Sequence, residues 1–111
     1  MSNRINRVNQ LIRRELSQIV LREVEFPPGI LVTLTRVETS PNLYESRVYV
    51  SCMPETGQEK ALETLNFRIW HLQQLLNKRL RMRPIPKIIF LKEKETLEAG
   101  RIEEILTKLK R

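Results

Sequence analysis

Between Asn3 and about Val24, apolar residues recur at spacings of three and four. Ile5, Val8, Ile12, Leu16, Ile19 and Val20 therefore share one side of a helix, with Arg7, Arg14 and Gln18 on the other. Ser2 or Asn3 can cap its start, because either side-chain oxygen can accept an orphan backbone N–H. Phe26-Pro27-Pro28-Gly29 stops it: proline removes donors and glycine permits the turn. Leu31 to Thr39, LVTLTRVET, is rich in β-branched residues and predicts a strand. After a Ser40-Pro41-Asn42 turn, Tyr44 to Met53 predicts a second strand, in which Val48, Val50 and Cys52 alternate with Arg47, Tyr49 and Ser51. The short connection favours an antiparallel hairpin.

The second half changes period again. Thr56-Gly57-Gln58-Glu59 has the spacing of a capping box, and Leu62, Leu65, Ile69, Leu72, Leu76 and Leu80 form the apolar stripe of a long helix. A straight helix from Gly57 to Met82 would run about 39 Å, too long for a compact fold with a radius of gyration near ~13 Å. A bend or break is expected, although neither proline nor glycine marks one. Pro84 and Pro86 end the segment, and Lys87 to Lys92, KIIFLK, is a short continuous apolar run that predicts a strand covered on both faces. From Thr96 onward the pattern is helical again. The order is helix, strand, strand, long helix, strand, helix. A helical crossover between the second and third strands usually makes them parallel. The expectation is one α+β domain over residues 1–111: a three-stranded mixed sheet with helices packed on one face, the other face left for a ligand.

Charge narrows the choice of function. Twenty Lys and Arg face thirteen acidic residues, all glutamate, for a net +7. No acid lies between Glu63 and Glu93, and that window holds Arg68, Lys78, Arg79, Arg81, Arg83, Lys87 and Lys92, seven cations that equal the whole net charge. A localised cationic surface attracts polyanions such as nucleic acid, and arginine forks match phosphate oxygens in two-point contact. One or two cations near Arg79 would suit a helix C-terminus; four in six positions, with no compensating acid, point to a ligand. Arg36 and Arg47 on the strands could contribute, or could pair with Glu38 or Glu45 across the sheet. Tyr49 and Trp70 are candidate stacking groups, each equally suited to packing. With six aromatics in the chain, recognition of shaped, phosphate-rich RNA is favoured over a base-stacking platform.

Catalysis fits poorly. With no aspartate, one histidine and one cysteine, a Ser-His-Asp triad, a multi-histidine metal site and a cysteine cage are excluded. Glu103 and Glu104 are adjacent on a helix and point apart. A catalytic His71 would need a partner nucleophile and an orienter, so a structural histidine is expected, and Cys52 is expected to be an inert core thiol. No cofactor, metal or small-molecule substrate is implied. No apolar run approaches the roughly 20 residues of a membrane span, and no segment of signal-peptide type is recognised.

LVTLTRVETSPNLYESRVYVS resembles the strand hairpin of the ribosome-binding factor A family, whose pattern is LVTVTxVxxSxDLxxAxVYVS. LLNKRLRMRPIPKIIF is similar to that family's KRLRLRxxPxLxF stretch, ETLEAGRIEEIL to its SIExGxRIxxLL ending, and RINRVNQLIRRELSQIV to its opening helix. The resemblance implies a type II KH-like fold and a non-enzymatic, cytoplasmic, monomeric factor. Such a factor binds the precursor small (30S) ribosomal subunit, assists 16S rRNA maturation and supports growth in the cold. Its RNA contacts would fall on Lys78, Arg79, Arg81 and Arg83, with Arg68, Lys87 and Arg101 secondary; Arg101 could instead serve as a salt bridge or helix cap. The family's Ala-x-Gly kink is missing here, its positions taken by Arg68, Ile69 and Trp70. The expectation is a break near Asn66 to Trp70, with Trp70 filling space in or beside the core. The alternatives are a protein-interaction or homodimerisation module with an incidental basic patch, and a general nucleic-acid-binding domain.

Overall fold

The computed structural model describes residues 2–93. Helix α1 (Ser2–Glu23) is followed by strands β1 (Leu31–Thr39) and β2 (Glu45–Met53), helices α2 (Gln58–Phe67) and α3 (Ile69–Arg79), and strand β3 (Lys87–Lys92). The helix expected from Thr96 onward lies outside the described residues. The strands form one sheet in the order β1-β2-β3. β1 and β2 are antiparallel, from Leu31 opposite Met53 to Thr39 opposite Ser46. β2 and β3 are parallel, from Glu45 opposite Lys87 to Val50 opposite Lys92. This is the α+β mixed sheet the pattern predicts, and its order is consistent with a KH-like arrangement.

Each apolar stripe finds its partner. Ile12, Leu16 and Ile19 of α1, Val48 and Val50 of β2, Leu65 of α2, Leu72 and Leu76 of α3, and Ile88 and Phe90 of β3 enclose one core. Helices cover one sheet face, the face that carries Ser46, Val48, Val50 and Cys52 of β2, all buried. Gln58 seals the start of α2 by donating from Nε2 to the Val50 carbonyl at 2.6 Å. Two glycines answer to geometry. Gly29 sits at φ +89°, a left-handed conformation that suits the turn after the prolines, while a Cβ on Gly57 would stand 2.7 Å from Ile30 Cγ2.

Four local expectations are corrected. The capping box does not form: a short 3-10 turn at Glu55–Gly57 intervenes, Gly57 caps α2, and no side-chain cap bond is made. The chain enters this turn extended at Pro54, and Gly57, packed closely on Ile30 and without a side chain, takes the cap position expected of Thr56. Second, β3 is an edge strand with Ile88 and Phe90 buried but Ile89 and Leu91 only half-buried, so it is not covered fully on both faces. Third, the helix ends at Arg79, and Leu80 is extended at φ −91°, ψ 141°. Fourth, the helix breaks as expected at Arg68, which leaves helical geometry at φ −104°, ψ 8°, but Trp70 is 73 % exposed. The break turns Ile69 and Leu72 toward the core and leaves Trp70 and Phe67 in solvent.

Candidate nucleic-acid interface

The route from α3 to β3 sorts its side chains by alternation. Leu80 is buried, Arg81 exposed, Met82 half-buried and Arg83 exposed, as an extended segment lying on the core requires. Lys78, in the last turn of α3, and Lys87, the first residue of β3, are also exposed. Helix end, extended segment and strand start thus present Lys78, Arg81, Arg83 and Lys87 at one corner. The charge there also complements the negative end of the α3 dipole.

A groove of about 430 Å³ opens at this corner, lined by Gln73, Asn77, Arg83, Ile85 and Lys87. Gln73 fixes its floor. Its Nε2 donates to the Pro86 carbonyl and to Asn77 Oδ1, both at 3.1 Å, and its Oε1 accepts the Ile88 N–H at 2.9 Å. This pins α3 to β3 and leaves the Asn77 amide N–H groups and Lys87 as donors on the walls, with Arg83, whose Nη1 donates to the Met82 carbonyl at 2.7 Å, offering its other N–H groups. Such walls suit an anion with several acceptor oxygens.

The other candidates behave differently. Arg79 is a buckle between helices: its Nη1 donates to Glu15 Oε1 at 2.8 Å and Gln18 Oε1 at 3.1 Å. That bond holds the Glu15 carboxyl below its ordinary pKa. Arg68 sits at the opposite end of α3, about 16 Å away for an eleven-residue helix, so it is not gathered into the corner. Arg101 lies outside the described residues. His71 stands 3.5 Å from Glu23 Oε1.

The sheet face opposite the helices is not an open cationic platform. A bulge between Leu34 and Arg36 lets Thr35 and Arg36 reach the same side. There Glu93 Oε2 accepts from Thr35 Oγ1 at 2.7 Å and from Arg36 Nε at 3.0 Å. Arg36 also pairs with Glu38 and lies 3.9 Å over the Tyr49 ring, which withdraws Tyr49 as a stacking group on that side. Arg47 pairs with Glu45 at 3.2 Å. Of the two readings open for Arg36 and Arg47, pairing is the one found, but Arg36 meets Glu38 and Arg47 meets Glu45 along their own strands rather than across the sheet.

Sequence reasoning missed Gln73, Asn77 and Arg22. A second groove, of about 250 Å³ between α1 and α3, is lined by Ile19, Arg22, Glu23, Leu75, Lys78 and Arg79, so Arg22 joins Lys78 from another element. The signal was present: α1 carries Arg4, Arg7, Arg13, Arg14 and Arg22 against Glu15 and Glu23, a surplus of three hidden when charge is summed over the whole chain outside residues 64–92. Among the described residues no group of three His, Cys, Asp or Glu could hold a metal ion, and no helix is long and apolar enough to cross a membrane.

The fold and this corner define a class: a small α+β protein with a one-sided mixed sheet, a helical crossover broken in its middle, and a cationic edge where that crossover re-enters the sheet. The family model described as ribosome-binding factor A matches residues 4–106, and the chain belongs to the ribosome-binding factor A family. Among its relatives, ribosome-binding factor A of Akkermansia muciniphila is 36% identical over 90 residues, 81% of this chain and 71% of that one. The Bdellovibrio bacteriovorus factor is 34% identical over 107 residues, 96% of this chain and 80% of that one. The crystal structure of the Thermus thermophilus factor superposes with a TM-score of 0.68 at 27% identity, covering 79% of this chain and 93% of that one. A homology model of the Thermus thermophilus factor, fitted into the cryo-EM map of its complex with the 30S subunit, gives 0.64 at 28% identity, covering 78% and 92%.

Proposed function

We propose that this chain is a non-enzymatic assembly factor that binds the precursor small ribosomal subunit and assists maturation of 16S rRNA, acting as a cytoplasmic monomer without a cofactor. The observation that carries this reading is the corner itself: Lys78, Arg81, Arg83 and Lys87 are exposed, with Arg83 and Lys87 on one groove and Lys78 on the next, in a stretch with no acidic residue between Glu63 and Glu93. Lys78, Arg81 and Arg83 contact phosphates directly, with Lys87 beside them. Arg79 contributes charge while holding α1 to α3, and Arg68 and Arg101 are secondary contacts. The relative seen in complex with the 30S subunit supports the choice of partner.

Phosphate contacts position such a protein on RNA without reading bases. The factor then acts by population shift, favouring the immature rRNA arrangement whose phosphates fit the corner. Co-sedimentation tests this. The protein should pellet with small subunits, more strongly with precursor than mature particles, and not with large subunits. Equal pelleting with both subunits would sink the proposal in favour of general nucleic-acid binding.

A further inference from the structure

The break between α2 and α3 leaves two large rings in water: Phe67 is 87 % and Trp70 73 % exposed. Between them Arg68 is half-exposed. Their neighbours Asn66 and His71 are polar and exposed, whereas Leu65, Ile69 and Leu72 turn inward. The rings stand in polar surroundings, with Arg68 between them, Glu63 one turn before Phe67 and Glu23 beside His71, rather than at the centre of an apolar patch, which argues against a protein partner. Trp70, Gln74 and Lys78 follow at spacings of four on α3, so one side of the helix leads from the rings to the basic corner over about 12 Å.

We infer that Phe67 and Trp70, with Arg68 between them, form a stacking site for unpaired RNA bases whose backbone continues along α3 to Lys78. Every base has a π-face, so aromatic rings beside a cationic track take single strands with little sequence preference. Paired bases offer no free face. Arg68 adds a charge for the local phosphate or a plane for stacking. His71 is not counted among these cations, because Glu23 of α1 stands 3.5 Å from it. The inference rests on the RNA-binding reading above and adds the kind of RNA: an unpaired segment beside the phosphates held at the corner.

Trp70 is the one tryptophan of the chain, so its fluorescence reports this site directly. The intact chain is titrated with an unstructured oligouridine and with a blunt RNA duplex of equal phosphate number. Oligouridine should quench Trp70 and the duplex should not. Trp70→Leu and Phe67→Leu should each weaken oligouridine binding, read by anisotropy of labelled RNA, by about 5- to 150-fold. Duplex affinity should stay within about twofold, and Trp70→Phe should keep most of the binding. Thermal melts confirm that the variants fold. Leucine variants that bind oligouridine like the parent overturn the inference, as does equal loss on both RNAs. So does shielding of Trp70 by whole subunits but not by naked single strand, which would mark a protein contact. The subunit assignment is judged apart, by pelleting of variants at Lys78, Arg81 and Arg83, so either reading can fail alone.

Discussion

Leu72→Ala and Trp70→Ala, two positions apart on one helix, should differ sharply in their cost to stability. Leu72 is fully buried between α3 and the core, whereas Trp70 is 73 % exposed. Deleting a buried leucine side chain removes its transfer free energy and leaves a cavity, together about 2.7–5 kcal/mol. That is a large part of the roughly 5–15 kcal/mol that holds a protein of this size together. Removing a side chain from an exposed position away from caps and ion pairs stays within about 0.5 kcal/mol. Had Trp70 filled the core, its truncation would cost about 3–5 kcal/mol. Urea unfolding followed by far-UV circular dichroism measures both, since Trp70→Ala removes the only tryptophan signal. Equal midpoints for parent and Trp70→Ala, with a much lower one for Leu72→Ala, are expected. A Trp70→Ala loss comparable with that of Leu72→Ala would refute the placement of the break and with it the exposed rings.

Three further outcomes follow from named contacts. Because Arg79 lowers the folded-state pKa of Glu15, the stabilisation is fully present above the ordinary glutamate value and fades as pH falls through the lowered one; Arg79→Ala should reduce the acid limb of a stability–pH profile measured by thermal melts. Burial raises the Cys52 thiol pKa, so a disulfide reagent at mildly alkaline pH should label native protein far more slowly than urea-unfolded protein. Glu93→Ala removes the acceptor shared by Thr35 and Arg36 and should destabilise by about 1.5–3 kcal/mol, with Glu93→Gln milder, measured by urea unfolding.

The parts of the fold legible in sequence are those with a period. Ile12, Leu16 and Ile19 at helical spacing, and Val48 and Val50 at alternate positions, declare their buried face because a helix or strand repeats its geometry. The register of β1 against β2 beyond Leu34 is hard to read, because a bulge shifts every later pair and its one trace is that the buried Leu34 and Val37 stand three apart rather than two. The break at Arg68 follows from length and resemblance, but which ring it turns outward depends on one residue's φ and ψ. Lys78, Arg81 and Arg83 are visible as a charge run. Gln73 and Asn77 carry no charge and are neighbours through α3 alone, but the groove they line closes only where α3 meets the start of β3. Arg79 looks like its neighbours in sequence; Glu15, which occupies it, lies 64 positions away.

The central claim is that the corner formed by Lys78, Arg81 and Arg83 binds the small-subunit precursor through phosphates. It is tested most directly by measuring precursor affinity across a salt series for the parent chain and for the combined Lys78→Ala, Arg81→Ala, Arg83→Ala variant. Phosphate binding predicts a log–log slope that is shallower in the variant by about 0.7–0.9 for each contact removed, with the largest affinity difference at low salt. A folded variant with the parent's slope and affinity would contradict the account and put the binding surface elsewhere.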